Sequence, residues 1–447
     1  MADLLGAFPR GGAEWLALSR LTAVMGIAGY IVHGALAGHP HRTPNGDHHG
    51  DAEPMAISGE EWSMSRLRAR VAIVGAGAVG LAVALQLRRA GVDGVVVLDR
   101  ETSAGMGSTA RANGGVRAQF ATAVNIAFSQ YTIPRLAELD ELAGGKVGYR
   151  PVGYLLLAGD PSCATLHRDL ALQRAMHLPV ELASAQRVRE LAPMVRVAGL
   201  RAAAFCASDG VIDPHGVARA LWSEGARLGA TYMFDTEVVA IESHGAGAVV
   251  HCARAEVEAE HVVNAAGAWA RGLAALAGID LPVLPYRRNL ACTEPLPAVP
   301  ASLPMCVDMD TGVLVRREGG GGLLVGWSDP DTRSGFETGF EPAFLEAVAA
   351  RAHNRFPLLE QATVNPRKCW AGLYPETPDH NAVIDAPPSA PWFVQCAGFG
   401  GHGIMHSLAA GQAVTELVRD QRCSTFDISP LRLDRFDGPL TAETAWL

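Results

Sequence analysis

The sequence predicts an α/β fold in which a second, β-rich domain interrupts the first. Three observations carry that expectation: a strand, glycine turn, helix and strand over residues 70–99, a second strand with a small-residue turn at 261–269, and a third strand, glycine loop and helix at 392–419. The first begins Arg70-Val-Ala-Ile-Val-Gly-Ala-Gly-Ala-Val-Gly80, in which Val71 to Val74 make a buried strand and Gly75, Gly77 and Gly80 follow with G-x-G-x-x-G spacing. Leu81 to Ala90 reads as a helix closed by Gly91, where a left-handed residue is wanted. A second strand ends in Asp99, 19 residues beyond Gly80. The pattern has the physical logic of dinucleotide binding. Gly75 allows the tight turn, Gly77 lets a pyrophosphate approach the backbone beside Ala78 and Val79 at the helix start, and Gly80 lets helix and strand pack closely. Asp99 can accept a hydrogen bond from a ribose hydroxyl.

Composition supports a compact enzyme. Of 447 residues, 49% are hydrophobic, 19% are charged and 49 are glycine, and a length of this order suits two or three domain-sized units. A formal charge of −9 with no basic block argues against a nucleic-acid partner. Eight scattered cysteines form no C-x-x-C pair, which reads as reduced thiols in a reducing, cytoplasmic compartment and as neither a disulfide framework nor a zinc site.

Residues 1–63 form an N-terminal extension unlike the rest. Leu21 to Gly38 carries no formal charge for 18 residues, at the lower edge for a membrane span, although four glycines and His33 weaken it. A membrane anchor through 21–38, a signal peptide cut after Ala35-Leu-Ala37, a peripheral helix and a non-native leader all stay open, the last because Met64 would make an ordinary start. His33, His39, His41, His48 and His49 sit among Pro, Gly and Asp and read as a solvated tether.

Beyond the first unit, Gly105 to Phe120 concentrates small residues, as a loop needs where it runs beside a flat ring and its phosphates. Asn125 to Leu142 has helical spacing, with an interruption expected at Pro134. A strand at 153–157 and helices at 166–176 and 186–191 open the second domain. Asp213 caps a helix with Pro214 in its first turn and Val217 and Leu221 on its apolar face, and Gly229 ends it. Strands at 231–234, 237–241, 248–251 and 255–259 read as a meander leading to the buried strand at 261–264. Strands at 284–293, 312–317 and 322–327 and a helix at 342–356 form the other half of the second domain. At 398–406 a glycine loop meets a helix running from Ser407 to Arg419, which offers a second positive helix end to an anionic group.

Four blocks in order, VAIVGAGAVG, GSTARANGGVRAQF, VVNAAGAW and WAGLYPETPDHNAVI…AGFGGHGIMHS, resemble the D-amino acid oxidase-like (DAO) family of FAD-dependent oxidoreductases over residues 67–425, nearest its sarcosine oxidase β-subunit and glycine oxidase branch. The resemblance implies a Rossmann-like FAD-binding domain built from 64–150, 205–275 and 365–427, an interleaved mixed-sheet substrate domain from 151–204 and 276–364, and a C-terminal tail from 428. By position, Gly75, Gly77, Gly80, Asp99 and Arg100 would hold the ADP part, and Gly107, Ser108, Thr109, Asn113, Gly114 and Gly115 would run along the pyrophosphate and ring. Val238 would meet adenine through its backbone, Ala266, Gly267 and Trp269 would offer a further close approach, and Gly400, Gly401, His402, Gly403, Ile404 and Met405 would line the flavin's pyrimidine edge.

The resemblance further implies oxidation of a C–N bond in a small amino acid or N-methyl amino acid by hydride transfer to flavin N5, then imine hydrolysis. Arg117 matches a position that often pairs with the substrate carboxylate, an inter-domain salt bridge being its other reading. Tyr374 and His402 complete the expected catalytic set, although His402 and His380 read more readily as structural residues. Two departures matter. Met405 stands where monomeric-type oxidases carry a lysine, which favours a dehydrogenase passing electrons to a quinone or an electron-transfer protein over one using oxygen. Arg111 and Cys369 stand at or near positions of flavin-linking residues without matching them, so FAD is expected to be non-covalent. A 2-hydroxy acid dehydrogenase and a flavoprotein with an assembly role in a membrane complex are the competing readings, and no metal is expected.

Overall fold

A computed structural model describes residues 65–253 and 255–445, so the expectations placed on the N-terminal extension lie outside the described residues. The central strand β1, Ser65–Val74, pairs in parallel with β2, Val95–Leu98, on one side and with Ala255–Asn264 on the other. Thr231–Met233 extends the sheet in parallel beyond β2. At the other edge Phe393–Ala397 adds a parallel strand and Val383–Asp385 an antiparallel one. Val71, Ala72 and Ile73 are fully buried, so the unbroken apolar run follows from a sheet covered on both faces.

Helix α1, Ala78–Arg89, lies against the long helix Gly403–Asp420. Their closest approach is at Gly411, where a Cβ would come within 2.7 Å of the Ala82 carbonyl oxygen. Both helices therefore start at the same end of the sheet, where the strands of β1 and 393–397 finish. The helix Ala123–Leu142 passes through Pro134 without a break, contrary to expectation. Burial of Ile133 and Leu136 beside the proline holds it together, and the Arg135 guanidinium donates to the Tyr131 carbonyl in the same turn.

The second sheet orders its strands Trp370–Glu376, Leu284–Cys292, Leu323–Gly326, Val313–Arg317, Met305–Asp308, Tyr154–Ala158, Ala202–Cys206 and Val180–Leu182. It is antiparallel apart from the pairing of Met305–Asp308 with Tyr154–Ala158. Several expectations need correction here. Trp370–Glu376 was placed with the first domain from residue 365, but seven residue pairs join it to Leu284–Cys292 in the second sheet. Residues 202–206 and 305–308 are strands without a sequence signal, one being Ala-Ala-Ala-Phe-Cys and the other four residues long. The segments at 255–259 and 261–264 are one continuous strand, because β1 offers it a partner along its whole length. Thr231–Met233 is no part of the meander and sits at the parallel edge beside β2.

The described tail returns to the body. Arg435 grips Asp379 through two hydrogen bonds of 2.8 and 3.0 Å, and the buried Glu443 carboxylate accepts from the Ala121 and Thr122 backbone N–H groups, the Thr122 hydroxyl and the Asn125 amide. A carboxylate there complements the positive end of the helix starting at Ala123. No helix among the described residues is long and apolar enough to cross a membrane.

The close helix crossing generates a stability test. Replacing Gly411 with Val forces methyl groups into the Ala82 backbone, and the expected outcome is a loss of about 1–3 kcal/mol in denaturant unfolding. Unchanged stability would mean that the two helices separate freely.

Candidate functional site

A cavity of about 580 Å³ opens where the first sheet's strands end, lined by residues from both sheets. Its volume falls within the roughly 300–1,000 Å³ of ligand pockets. At one end is the glycine turn. Gly75 has φ +112°, and a Cβ on it would lie 2.3 Å from the Ala265 carbonyl oxygen; a Cβ on Gly80 would lie 1.9 Å from the Gly75 carbonyl oxygen. Only glycine allows both contacts. Gly77, Gly107 and Gly267 behave differently, since a Cβ on any of them meets nothing closer than 3.4 Å, and all three line the cavity. These open glycines are where an extended ligand can lie against backbone, and they fit the flat, phosphate-bearing dinucleotide that the sequence implies.

Asp99 ends β2 and ties the turn together. It accepts hydrogen bonds from the Ala76 and Glu101 backbone N–H groups, and burial pushes its carboxyl above the usual range. Each of its oxygens keeps a further lone pair for a hydroxyl donor. Beside it the Arg100 guanidinium lies 3.8 Å over the Trp269 ring, which stacks in turn on Phe336. The Thr109 hydroxyl accepts from the Ala78 N–H at 3.0 Å, and the Ser108 hydroxyl donates to the Leu373 carbonyl at 2.8 Å, fixing the 107–115 loop between glycine turn and second sheet.

Of the residues expected around the cofactor, Gly75, Gly77, Ala78, Val79, Asp99, Arg100, Gly107, Ser108, Thr109, Asn113, Gly114, Gly115, Val238, Ala266, Gly267, Trp269, Gly400, Gly401, Gly403 and Ile404 line this cavity. Gly80 sits behind it, at the helix–strand contact. At the far end the helix Gly403–Asp420 presents its N-terminus, and Gly401 leaves space for the Tyr374 ring, which a Cβ would strike at 2.5 Å. Arg111, Arg288, Leu314 and Trp327 also line the cavity. The first three belong to a short helical turn and to strands of the second sheet, where alternation alone does not say which face meets a ligand.

Tyr374 also borders a small neighbouring cavity of about 30 Å³, shared with Arg117, Glu376, His402 and Met405. Arg117 was expected to face a substrate carboxylate. In the structure it is buried, lies 3.9 Å over the Phe120 ring, and donates to the Gln119 and Ala445 carbonyls. The cause is the returning tail, which brings Ala445 onto the guanidinium. His402 and His406 are both buried and neutral, His402 pushed down to about 4 and His406 well below the ordinary histidine range by loss of water. His402 Nε2 lies 3.2 Å from the His380 carbonyl oxygen, and His380 Nδ1 lies 2.9 Å from Glu376. Burial pushes the Tyr374 phenol up to about 12, so it stays protonated at neutral pH. Cys369 does not line the large cavity; its thiol donates to the Asn365 carbonyl.

A family model described as FAD dependent oxidoreductase, DAO, matches residues 70–417. A glycine oxidase from Geobacillus kaustophilus is 30% identical over 383 residues, covering 83% of this chain and 98% of that protein. FAD-dependent oxidoreductase domain-containing protein 1 from Bos taurus is 29% identical over 417 residues, covering 83% and 85%. Among solved structures, the L-proline dehydrogenase from P. horikoshii superposes with a TM-score of 0.78 at 25% identity, covering 84% of this chain and all of that one.

The two buried histidines make stability depend on pH. Their folded-state pKa values lie below the unfolded value of 6.5, so between about pH 6.5 and 4 the unfolded chain binds more protons and stability falls as pH falls. Melting temperature measured across that window should fall less steeply in His406→Leu than in the unsubstituted protein. The comparison cancels Asp209, whose carboxyl, raised to about 6 by burial, works in the opposite direction. Parallel profiles would show that His406 is not held neutral.

Proposed function

The chain belongs to the DAO family of FAD-dependent oxidoreductases, and on that premise we propose that it oxidises the C–N bond of a small amino acid or N-methyl amino acid to an imine, which water hydrolyses. One observation carries the reading: a single cavity runs from the glycine turn at Gly75–Gly80 to a second helix N-terminus at Gly403, with side chains of the second sheet closing it over Tyr374. Bound FAD supplies the two-electron acceptor for the substrate's hydride. The glycine turn and the start of α1 suit its pyrophosphate, Asp99 its ribose, Val238 its adenine, and the 107–115 loop and residues 400–405 its ring system. The helix N-terminus at Gly403 carries about half a positive charge and would favour an anionic form of a cofactor bound against it.

The chain's own groups set conditions for the chemistry. His402, held neutral by burial at the small cavity, adds no cation there, and the amine's lone pair must be free as the C–H bond breaks. The Tyr374 phenol, protonated at neutral pH, is available as a donor at the border of the two cavities. Side chains of the second sheet border the cavity and would fix the C–H bond's direction. Met405, apolar and buried at the position where related oxidases carry lysine, supports a dehydrogenase that hands electrons to a quinone or an electron-transfer protein. Arg111 donates to the Ala371 carbonyl and Cys369 lies off the cavity, which supports a non-covalent cofactor.

Anaerobic mixing of the FAD-loaded protein with sarcosine, glycine, proline and D-amino acids, set beside 2-hydroxyglutarate, tests the reading. At least one amino acid is expected to abolish the flavin's visible absorption while the hydroxy acid leaves it intact. A flavin that no amino acid reduces sinks the proposal. Reoxidation should be faster with an artificial quinone than with oxygen, and acid denaturation should release all the flavin into the supernatant.

A further inference from the structure

Resting on the amino-acid reading above, we propose that Arg288, and not Arg117, is the cation that receives the substrate's carboxylate. The strand Leu284–Cys292 lies antiparallel to Trp370–Glu376 with Tyr286 opposite Tyr374 and Arg288 opposite Gly372. Residues two apart on a strand share a face, so Tyr286 and Arg288 stand on the same side of the sheet, where Gly372 makes room for Arg111, whose Cβ would lie 2.9 Å from a Cβ placed on that glycine. The guanidinium sits 5.5 Å from the Tyr286 ring and 5.8 Å from the Tyr374 ring, against the large cavity.

What distinguishes Arg288 is how little it binds. Its side chain is only 10% exposed, and its Nε is buried with no hydrogen-bond partner. Nη1 makes two long contacts, 3.3 Å to the Arg287 carbonyl and 3.4 Å to the Asp329 carbonyl. Nη2 is 3.9 Å from the Glu376 carboxylate, beyond hydrogen-bond reach. A guanidinium removed from water, ion-paired with a buried carboxylate but holding only long hydrogen bonds, keeps donor capacity for an anion to satisfy.

The other arginines at the two cavities are engaged. Arg100 covers Trp269, and Arg111 donates to the Ala371 carbonyl at 3.2 Å. Arg117 stacks on Phe120 and holds the Gln119 and Ala445 carbonyls. An α-amino acid bound by its carboxylate at Arg288 would lie beside Tyr374, next to the glycine loop and the second helix N-terminus. Glu376, itself in contact with His380, then orients the guanidinium from the side through Nη2. The carboxylate and not the side chain is recognised, so the site selects α-amino monocarboxylates over simple amines.

The test uses the FAD-loaded protein and its Arg288→Gln, Arg288→Lys and Arg117→Gln variants, titrated with benzoate and pyrrole-2-carboxylate, with pyrrole as the uncharged control. Binding is read from the shift in the flavin's visible spectrum and, independently, from the rise in melting temperature. The unsubstituted protein should bind both carboxylates and not pyrrole. Arg288→Gln should weaken carboxylate binding roughly 10- to 100-fold, with FAD content retained, and Arg288→Lys should recover part of the loss because it keeps charge without the fork. Arg117→Gln should lower melting temperature through the tail and leave the binding constant near that of the unsubstituted protein. Undiminished carboxylate binding by Arg288→Gln, an equal or larger loss in Arg117→Gln, or no carboxylate binding by the unsubstituted protein each overturns the proposal. If carboxylates bind through Arg288 but no amino acid reduces the flavin, the functional reading fails and the assignment of Arg288 stands; if amino acids reduce both proteins with equal KM, the assignment fails and the reading stands.

Discussion

The backbone contact among Gly75, Gly80 and Ala265 is the constraint on which the site depends. The turn after β1, the first turn of α1 and the end of the long parallel strand approach so closely that a single methyl group on Gly75 or Gly80 would overlap a carbonyl oxygen. That contact sets where α1 begins, and α1 in turn receives the helix Gly403–Asp420 through the gap left by Gly411. Two helix N-termini separated by more than 300 residues of chain therefore border one cavity. Each helix end brings a positive partial charge to the cavity, and both follow from the same packing.

Arginines around the site divide by what satisfies them. Arg117 stands in a motif where a substrate role is implied, yet the tail residues 441–445 return to its neighbourhood, with Glu443 over the start of the helix Ala123–Leu142 and Ala445 on the guanidinium. Arg288 carries no motif and sits in the cavity wall with one ion pair, two long hydrogen bonds and its Nε unbonded. Desolvation makes that difference consequential, because a buried charge without partners is costly and one already held by carbonyls has little to offer a ligand. The same loss of water keeps His402 and His406 neutral and the Tyr374 phenol protonated.

Legibility varied with the range over which each signal acts. The G-x-G-x-x-G turn, Asp213 as a helix cap accepting from the His215 N–H, and Gly91 and Gly229 with positive φ behind their helices are local features, and each was readable. Strand partners were not. Trp370–Glu376 joins the second sheet because Leu284–Cys292 supplies a complementary edge, and Ala202–Cys206 is a strand only because Tyr154–Ala158 and Val180–Leu182 flank it. Pro134 marked a break that tertiary burial overrode.

By itself the sequence determined the α/β class, the dinucleotide turn, the family and most of the cavity's glycine lining, since these rest on backbone conformations that particular residues alone permit. Tertiary structure decided which sheet each strand joins, that the tail covers Arg117, and that Arg288 faces the cavity with donors unmet. Those outcomes depend on which distant groups meet after burial, and no spacing along the chain encodes the water that each charge has lost.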